Sequence, residues 1–238
     1  MTNSIQDEFI STVSHEMRTP LTSIRGFSQT LLNSWDKLDE ENKKKFIKII
    51  EEQSGRLINL VENILTVSKI NSDTPLLRAV DVNNSIEKVI QMLSVKYKNH
   101  KFIKSFMKNL PQANLDEDKF QQIMTNLIDN ACKYSPEGSN IYITTSIKEE
   151  LIKISVEDEG VGIPTNDLDK IFEKFVRLEN HLTSKTQGNG LGLYITKKLV
   201  ESMNGRIIVS SSQNKGTNFS VVFPEYNHED ALKCSLRS

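Results

Sequence analysis

The stretch SVEDEGVGIP, Ser155 to Pro164, ends a run of alternating residues in a cluster of glycines and a proline. Ile152, Ile154, Val156 and Asp158 alternate with Lys153, Ser155, Glu157 and Glu159. Period two predicts a strand with one buried face, and Asp158 falls on that face at the strand's end. A carboxylate aimed inward is costly unless it is hydrogen-bonded. The exocyclic NH2 of an amino-purine is one donor that satisfies it, and Gly160 and Gly162 let the backbone approach a flat ring closely. A strand followed by a plain acidic turn fits the same residues. Two further stretches bear on the choice: NLIDNACKYS (126–135) before it and GNGLGLYI (188–195) after it.

The earlier stretch belongs to a predicted helix from Asp116 to Tyr134, with an Asp at its start. Phe120, Ile123, Met124, Leu127, Ile128 and Ala131 make its buried face. Asn126, Asn130 and Lys133 form a line along one border of that face. The line reads either as solvated helix surface or as two carboxamide oxygens and an ammonium set for a hard cation and phosphate oxygens. Magnesium keeps several waters and takes few protein ligands, so a single Asn oxygen suffices as its contribution. In the later stretch, Gly188, Gly190 and Gly192 precede an apolar helix over 191–203. Glycines at a helix start expose N–H groups and a favourable dipole to phosphate. Between the two, Arg177 to Gln187 is polar and aperiodic, either a lid over a ligand or a simple loop.

Toward the N-terminus the pattern is helical. Ile10, Val13, Met17, Ile24, Phe27 and Leu31 recur at steps of three and four, predicting a helix over 4–33. After WDKLD a second helix runs over 39–71 with the seam Phe46, Ile50, Gln53, Leu57, Leu60, Ile64, Val67. Ile47, Ile58, Val61 and Leu65 widen its apolar stripe. Two helices cannot hide that much apolar surface, which predicts pairing with a second copy as a four-helix bundle. His15 sits ~160° from both Val13 and Met17 at 100° per residue, facing away from the seam. Glu16 adjoins it, and Thr19 lies one turn on. An exposed imidazole beside a carboxylate is a nucleophile with its own proton acceptor.

SDTP (72–75) marks a linker and the expected hinge. Beyond it, helices are predicted over 82–98 and 164–172, and strands at FIKSFM, YITTSI, LIKISVED, RIIVSS and TNFSVVF, with turns at KEE and QNKG. Strands and helices without strict alternation predict an α+β sandwich with a mixed sheet and helices on one face. The domains expected are therefore a helical hairpin over 1–73, an α+β domain over 74–224 and a mobile tail over 225–238.

Composition narrows the classes. Thirty Lys and Arg balance 31 Asp and Glu, so no nucleic-acid partner is expected. Cys132 and Cys234 lack metal-ligand spacing, and no apolar run reaches the ~18 residues of a membrane span. A soluble, cytoplasmic chain is expected. Walker, Rossmann and protein-kinase HRD and DFG motifs are all missing from the sequence.

SHEMRTPL, NLIDNACKYS, DEGVGI, FEKFVR and GNGLGL resemble, in order, the H, N, first glycine, F and second glycine boxes of sensor histidine kinases of two-component systems. The resemblance covers about residues 4–224. It implies a dimerising hairpin followed by a Bergerat-type (GHKL) ATP-binding domain. His15 would accept the γ-phosphoryl of ATP, Glu16 would act as general base, and Thr19 would hold water during dephosphorylation of a partner. Asn130 would contact Mg2+ and Asp158 would bind adenine. Asn126, Lys133, Tyr134, Gly160, Gly162, Leu193 and Thr217 complete the nucleotide set, with Gly188, Gly190 and Gly192 around the phosphates. Lys174 stands where many relatives have Arg, making Arg177 the better candidate for a phosphate contact. Implied partners are a second copy, a response regulator whose aspartate receives the phosphoryl group, and a separate sensor or an upstream sensory region outside this chain. Two other readings compete: an ATP-driven conformational switch and an inactive scaffold. Related ATPases and chaperones carry Glu at the position of Asn126 to activate water. Asn cannot take that proton, whereas His15 and Glu16 provide another nucleophile and base, and the full motif set argues against a dead core.

Overall fold

The computed structural model describes residues 2–70, 73–178 and 188–227, with side chains from residue 10 onward. Most of the lid expected at 177–187, most of the expected tail, and Ser72 of the linker lie outside those residues. The chain divides into two compact units, one built on Met1–Lys69 and one beginning at Ile70.

The first unit is a helical hairpin. Helix α1 (Thr2–Ser34) runs through Pro20 without a break. A single 3-10 turn, Trp35–Lys37, leads to α2 (Glu40–Lys69). Asp39 starts α2 by accepting the Asn42 N–H at 2.7 Å, which satisfies one of the donors left over at a helix start. The two helices meet along the predicted seam, where Phe27 and Phe46 pack with ring centroids 5.1 Å apart. Leu60 is 2% exposed, while Ile58 beside it is 59% exposed. The hairpin therefore seals one stripe of α2 and leaves the widening residues Ile47, Ile58, Val61 and Leu65 in water.

The second unit begins with β1 (Arg78–Val80) and α3 (Val82–Lys96), then β2 (Lys101–Ser105), β3 (Ala113–Leu115) and α4 (Glu117–Lys133). Strands β4 (Asn140–Lys148) and β5 (Leu151–Asp158) follow, then α5 (Gly192–Ser202), β6 (Arg206–Ser211) and β7 (Thr217–Pro224). Five strands form a sheet in the order β2-β4-β5-β7-β6. Only β2 and β4 run parallel, so the sheet is mixed, as predicted. The β4–β5 hairpin turns at Glu149 and Glu150, both with positive φ (52° and 62°). This is the mirror-image turn that suits twisted antiparallel strands.

Apolar side chains of α4 and α5 (Phe120, Ile123, Leu127, Ile195, Leu199) and of the sheet (Ile141, Ile152, Ile154, Phe223) are all buried. Each large side chain removed from water contributes about 1.5–3 kcal/mol. Asp116 caps α4 through the Lys119 N–H at 3.2 Å and also accepts the Leu76 N–H at 3.0 Å. One carboxylate thus starts the site helix and pins the segment that leads into β1.

Two features differ from the sequence expectation. The strands β1 and β3 pair as a separate two-stranded sheet, and three residues are too few to display an alternation. The single helix expected over 164–172 is two 3-10 turns, Thr165–Asp167 and Lys170–Phe172. Such short pieces carry no helical period.

Candidate active site

Asp158 ends β5 facing inward and is 6% exposed. Its Oδ1 accepts the N–H groups of Gly160 at 2.8 Å and Thr217 at 3.2 Å. Its Oδ2 makes no hydrogen bond to a described residue. Burial pushes the carboxyl up to about 6, and the two backbone N–H groups offset only part of that rise. Backbone crowds this corner. A Cβ on Gly160 would strike the Tyr134 carbonyl, and one on Gly216 (φ 80°) would strike the carbonyl of Asp158 itself. The loop after β5 is stitched to the β6–β7 turn by Gly216 N–H to Gly160 O (3.0 Å) and Asn214 N–H to Val161 O (2.7 Å). Ser211 Oγ accepts the Ile163 N–H at 2.8 Å, donates to the Gly216 carbonyl at 2.8 Å and lies 3.0 Å from Thr217 Oγ1. Gly162, with φ 66°, lies against the carbonyl of Ser212. Ser211 and Gly216 were not singled out from sequence, because the turn that brings them to Asp158 lies more than 50 positions downstream.

The α4 stripe borders this corner through Tyr134, whose carbonyl accepts the Val161 N–H at 3.2 Å. The Asn130 carboxamide makes no hydrogen bond to a described residue and is half-buried. It is a spare oxygen donor of the kind a hard cation takes. Lys133 is 2.5 Å from Asp129 Oδ2. Asp129 Oδ1 accepts from Lys96 at 2.8 Å and from the Tyr97 hydroxyl at 2.7 Å. Burial raises the Asp129 pKa, but the Lys133 charge and these hydrogen bonds outweigh it and hold the carboxyl below its ordinary value. Lys133 is thus tethered through its own helix to α3, a constraint that the stripe of α4 did not reveal.

Gly190 (φ 68°) accepts the Phe175 N–H at 2.9 Å, and a Cβ there would meet the Phe175 backbone. The FEKFVR and GNGLGL stretches are therefore in direct contact. Lys174 places its ammonium 5.1 Å from the Tyr194 ring centre, and Arg177 is exposed. A Cβ on Gly188 would meet no atom of a described residue within 4 Å. Gly192 opens α5, and Leu193 follows it half-buried. Thr217 is buried.

In the hairpin, His15 has a side chain 75% exposed, with Nδ1 4.0 Å from Glu16 Oε1. Glu16 Oε2 lies 3.5 Å from an Arg56 nitrogen on α2. Thr19, one turn past His15, is also exposed. Arg56 escaped the sequence reading because nothing local to α2 ties it to His15.

Residues 5–73 match the His Kinase A (phospho-acceptor) domain, and residues 115–227 match the histidine kinase-, DNA gyrase B- and HSP90-like ATPase domain. The sensor histidine kinase WalK of Bacillus subtilis (strain 168) is 35% identical over 228 residues, a match covering 91% of this chain. The chain belongs to the sensor histidine kinases. It corresponds to their transmitter core, for it spans 36% of that WalK and 53% of a Staphylococcus aureus sensor protein kinase WalK that is 35% identical over 222 residues. Solved histidine kinases share the fold. ThkA in complex with the response regulator protein TrrA aligns at a TM-score of 0.76 and 27% identity, over 94% of this chain and 63% of that one. Full-length ShkA in complex with AMPPNP aligns at 0.67 and 28%, over 92% and 46%. No described helix of this transmitter core is long and apolar enough to cross a membrane.

Proposed function

We propose that this core binds ATP with magnesium, phosphorylates its own His15, and passes the phosphoryl group to an aspartate of a response regulator. The observation that carries the proposal is His15 itself. Its imidazole is exposed, and Nδ1 faces the Glu16 carboxylate, which leaves Nε2 as the outward nitrogen. Nε2 attacks the γ-phosphorus, the bond to the β-phosphate oxygen breaks, ADP leaves, and the Nδ1 proton passes to Glu16. Most of the barrier reduction would come from in-line positioning and electrostatics.

Residues 1–73 would serve as phosphoacceptor and dimerisation hairpin, and 74–224 as the nucleotide-binding domain. Asp158 Oδ2 would accept the adenine amino group, with Gly160 and Gly162 letting the ring lie against backbone. Asn126, Lys133, Tyr134, Leu193 and Thr217 would line the nucleotide, with Arg177 and the glycines 188, 190 and 192 near its phosphates. Asn130 would hold magnesium, whose bound charge offsets that of the β- and γ-phosphates. A second copy would cover the wet stripe of Ile47, Ile58, Val61 and Leu65. Complexes of the similar kinases with AMPPNP and with a response regulator support the nucleotide and the partner.

The test uses ATP labelled in the γ-phosphate. Wild-type chain should gain acid-labile, alkali-stable label, and His15→Ala should gain none while still binding nucleotide. Label on His15→Ala at the wild-type level would sink the assignment. Alkali-labile label would instead point to another acceptor.

A further inference from the structure

The carboxamide of Asn126 is seated by α5. Its Nδ2 donates to Oγ1 of Thr196 at 2.7 Å, and Thr196 is 1% exposed. Its Oδ1 lies against Gly192, only 2.5 Å from where a Cβ on that residue would stand. Gly192 and Thr196 are four apart on α5, so they present one face to α4. Any side chain at 192 would displace the amide, and loss of the hydroxyl at 196 would leave a half-buried NH2 without its acceptor. Gly192 therefore has a role here beyond opening a helix toward phosphate.

We propose that Thr196 is a positioning residue for the magnesium–nucleotide site. By engaging Nδ2 of Asn126, it holds the amide with its oxygen at the first turn of α5, in the donor orientation a cation or its bound water requires. An unseated carboxamide rotates freely, and half of its orientations present NH2, which repels a cation. The inference rests on the proposed kinase reading, in which nucleotide and magnesium lie along the α4 stripe. The adenine corner at Asp158 shares no hydrogen bond with the seat, so the two can be perturbed separately.

The experiment measures ADP affinity of the whole chain, by calorimetry, with and without magnesium. Thr196→Val keeps the shape and deletes the acceptor. Its affinity for ADP alone should equal wild type. Its affinity in saturating magnesium should fall by about five- to tenfold, the scale of one buried donor losing its partner. Thr196→Ser should restore wild-type behaviour. Thr196→Ala, which deletes the same acceptor and leaves position 192 untouched, should reproduce the magnesium-specific loss and covers the case in which the valine variant fails to fold. Equal losses with and without magnesium would show that Thr196 only ties two helices together and would overturn the inference. Wild-type affinity of Thr196→Val in magnesium would overturn it too. If wild type itself binds no ADP, the kinase reading fails, which is a separate result.

Discussion

Thr217 donates its backbone N–H to Oδ1 of Asp158 at 3.2 Å, across 59 positions of sequence. With Gly160 N–H on the same oxygen, a proton taken up by Asp158 must settle on Oδ2, the oxygen proposed to face adenine. Protonation then turns an acceptor into a donor facing an NH2 group. Adenosine, which carries no phosphate to titrate, should therefore bind progressively more weakly as pH falls through about 6. The same shift sets a stability trend. Folding raises this carboxyl from 3.8 to about 6, so its stability contribution is full below the unfolded value and is lost as pH rises through about 6. The full swing is on the order of 3 kcal/mol. Asp158→Asn should abolish adenosine binding yet melt higher than nucleotide-free wild type at pH 8, with the gap closing toward pH 4. Thermal melts across that range check the sign.

Arg56 holds the oxygen of Glu16 that does not face His15. A partly exposed ion pair of this kind adds about 0–1 kcal/mol to stability, so Arg56→Ala should melt near wild type. Autophosphorylation should nonetheless slow several-fold at saturating ATP, with the KM for ATP unchanged, because the proposed general base, Glu16, loses its anchor. Arg56→Lys should recover part of the rate. A raised KM with an unchanged maximal rate would assign Arg56 elsewhere.

Dimerisation is expected from the exposed stripe of α2. Leu65 is in water in the hairpin, so Leu65→Asp costs a single chain little but would bury a charge in a four-helix bundle, at several kcal/mol per copy. Light scattering should find wild type dimeric at micromolar concentration and the variant monomeric. A monomeric wild type would contradict the bundle.

Thr19 shares the exposed face of α1 with His15, one turn away. A regulator docked with its aspartyl phosphate near His15 would bring it within reach of a water held by the Thr19 hydroxyl. In the proposed mechanism Glu16 takes the proton from His15, so Thr19→Ala should slow regulator dephosphorylation about tenfold or more while autophosphorylation and forward transfer persist. An equal loss of autophosphorylation would make Thr19 a structural residue of the turn before Pro20.

The sequence by itself determined everything that repeats locally. The hairpin seam, the buried face of α4 and the inward placement of Asp158 follow from the periods of helix and strand, since each residue's direction is set by its near neighbours. The ordered motifs likewise named the family, because glycines, carboxamides and the His15–Glu16 pair act over a few residues. Only the tertiary structure decided which distant groups satisfy them. Asp158 meets Thr217, Asn126 meets Thr196 and Glu16 meets Arg56 over 59, 70 and 40 positions. No local period encodes such pairings, which arise when strand order and helix packing bring remote segments together. The strands β1 and β3 were hidden for the complementary reason. Three residues hold too little pattern to read, and only their pairing with each other, across more than 30 positions, makes them strands.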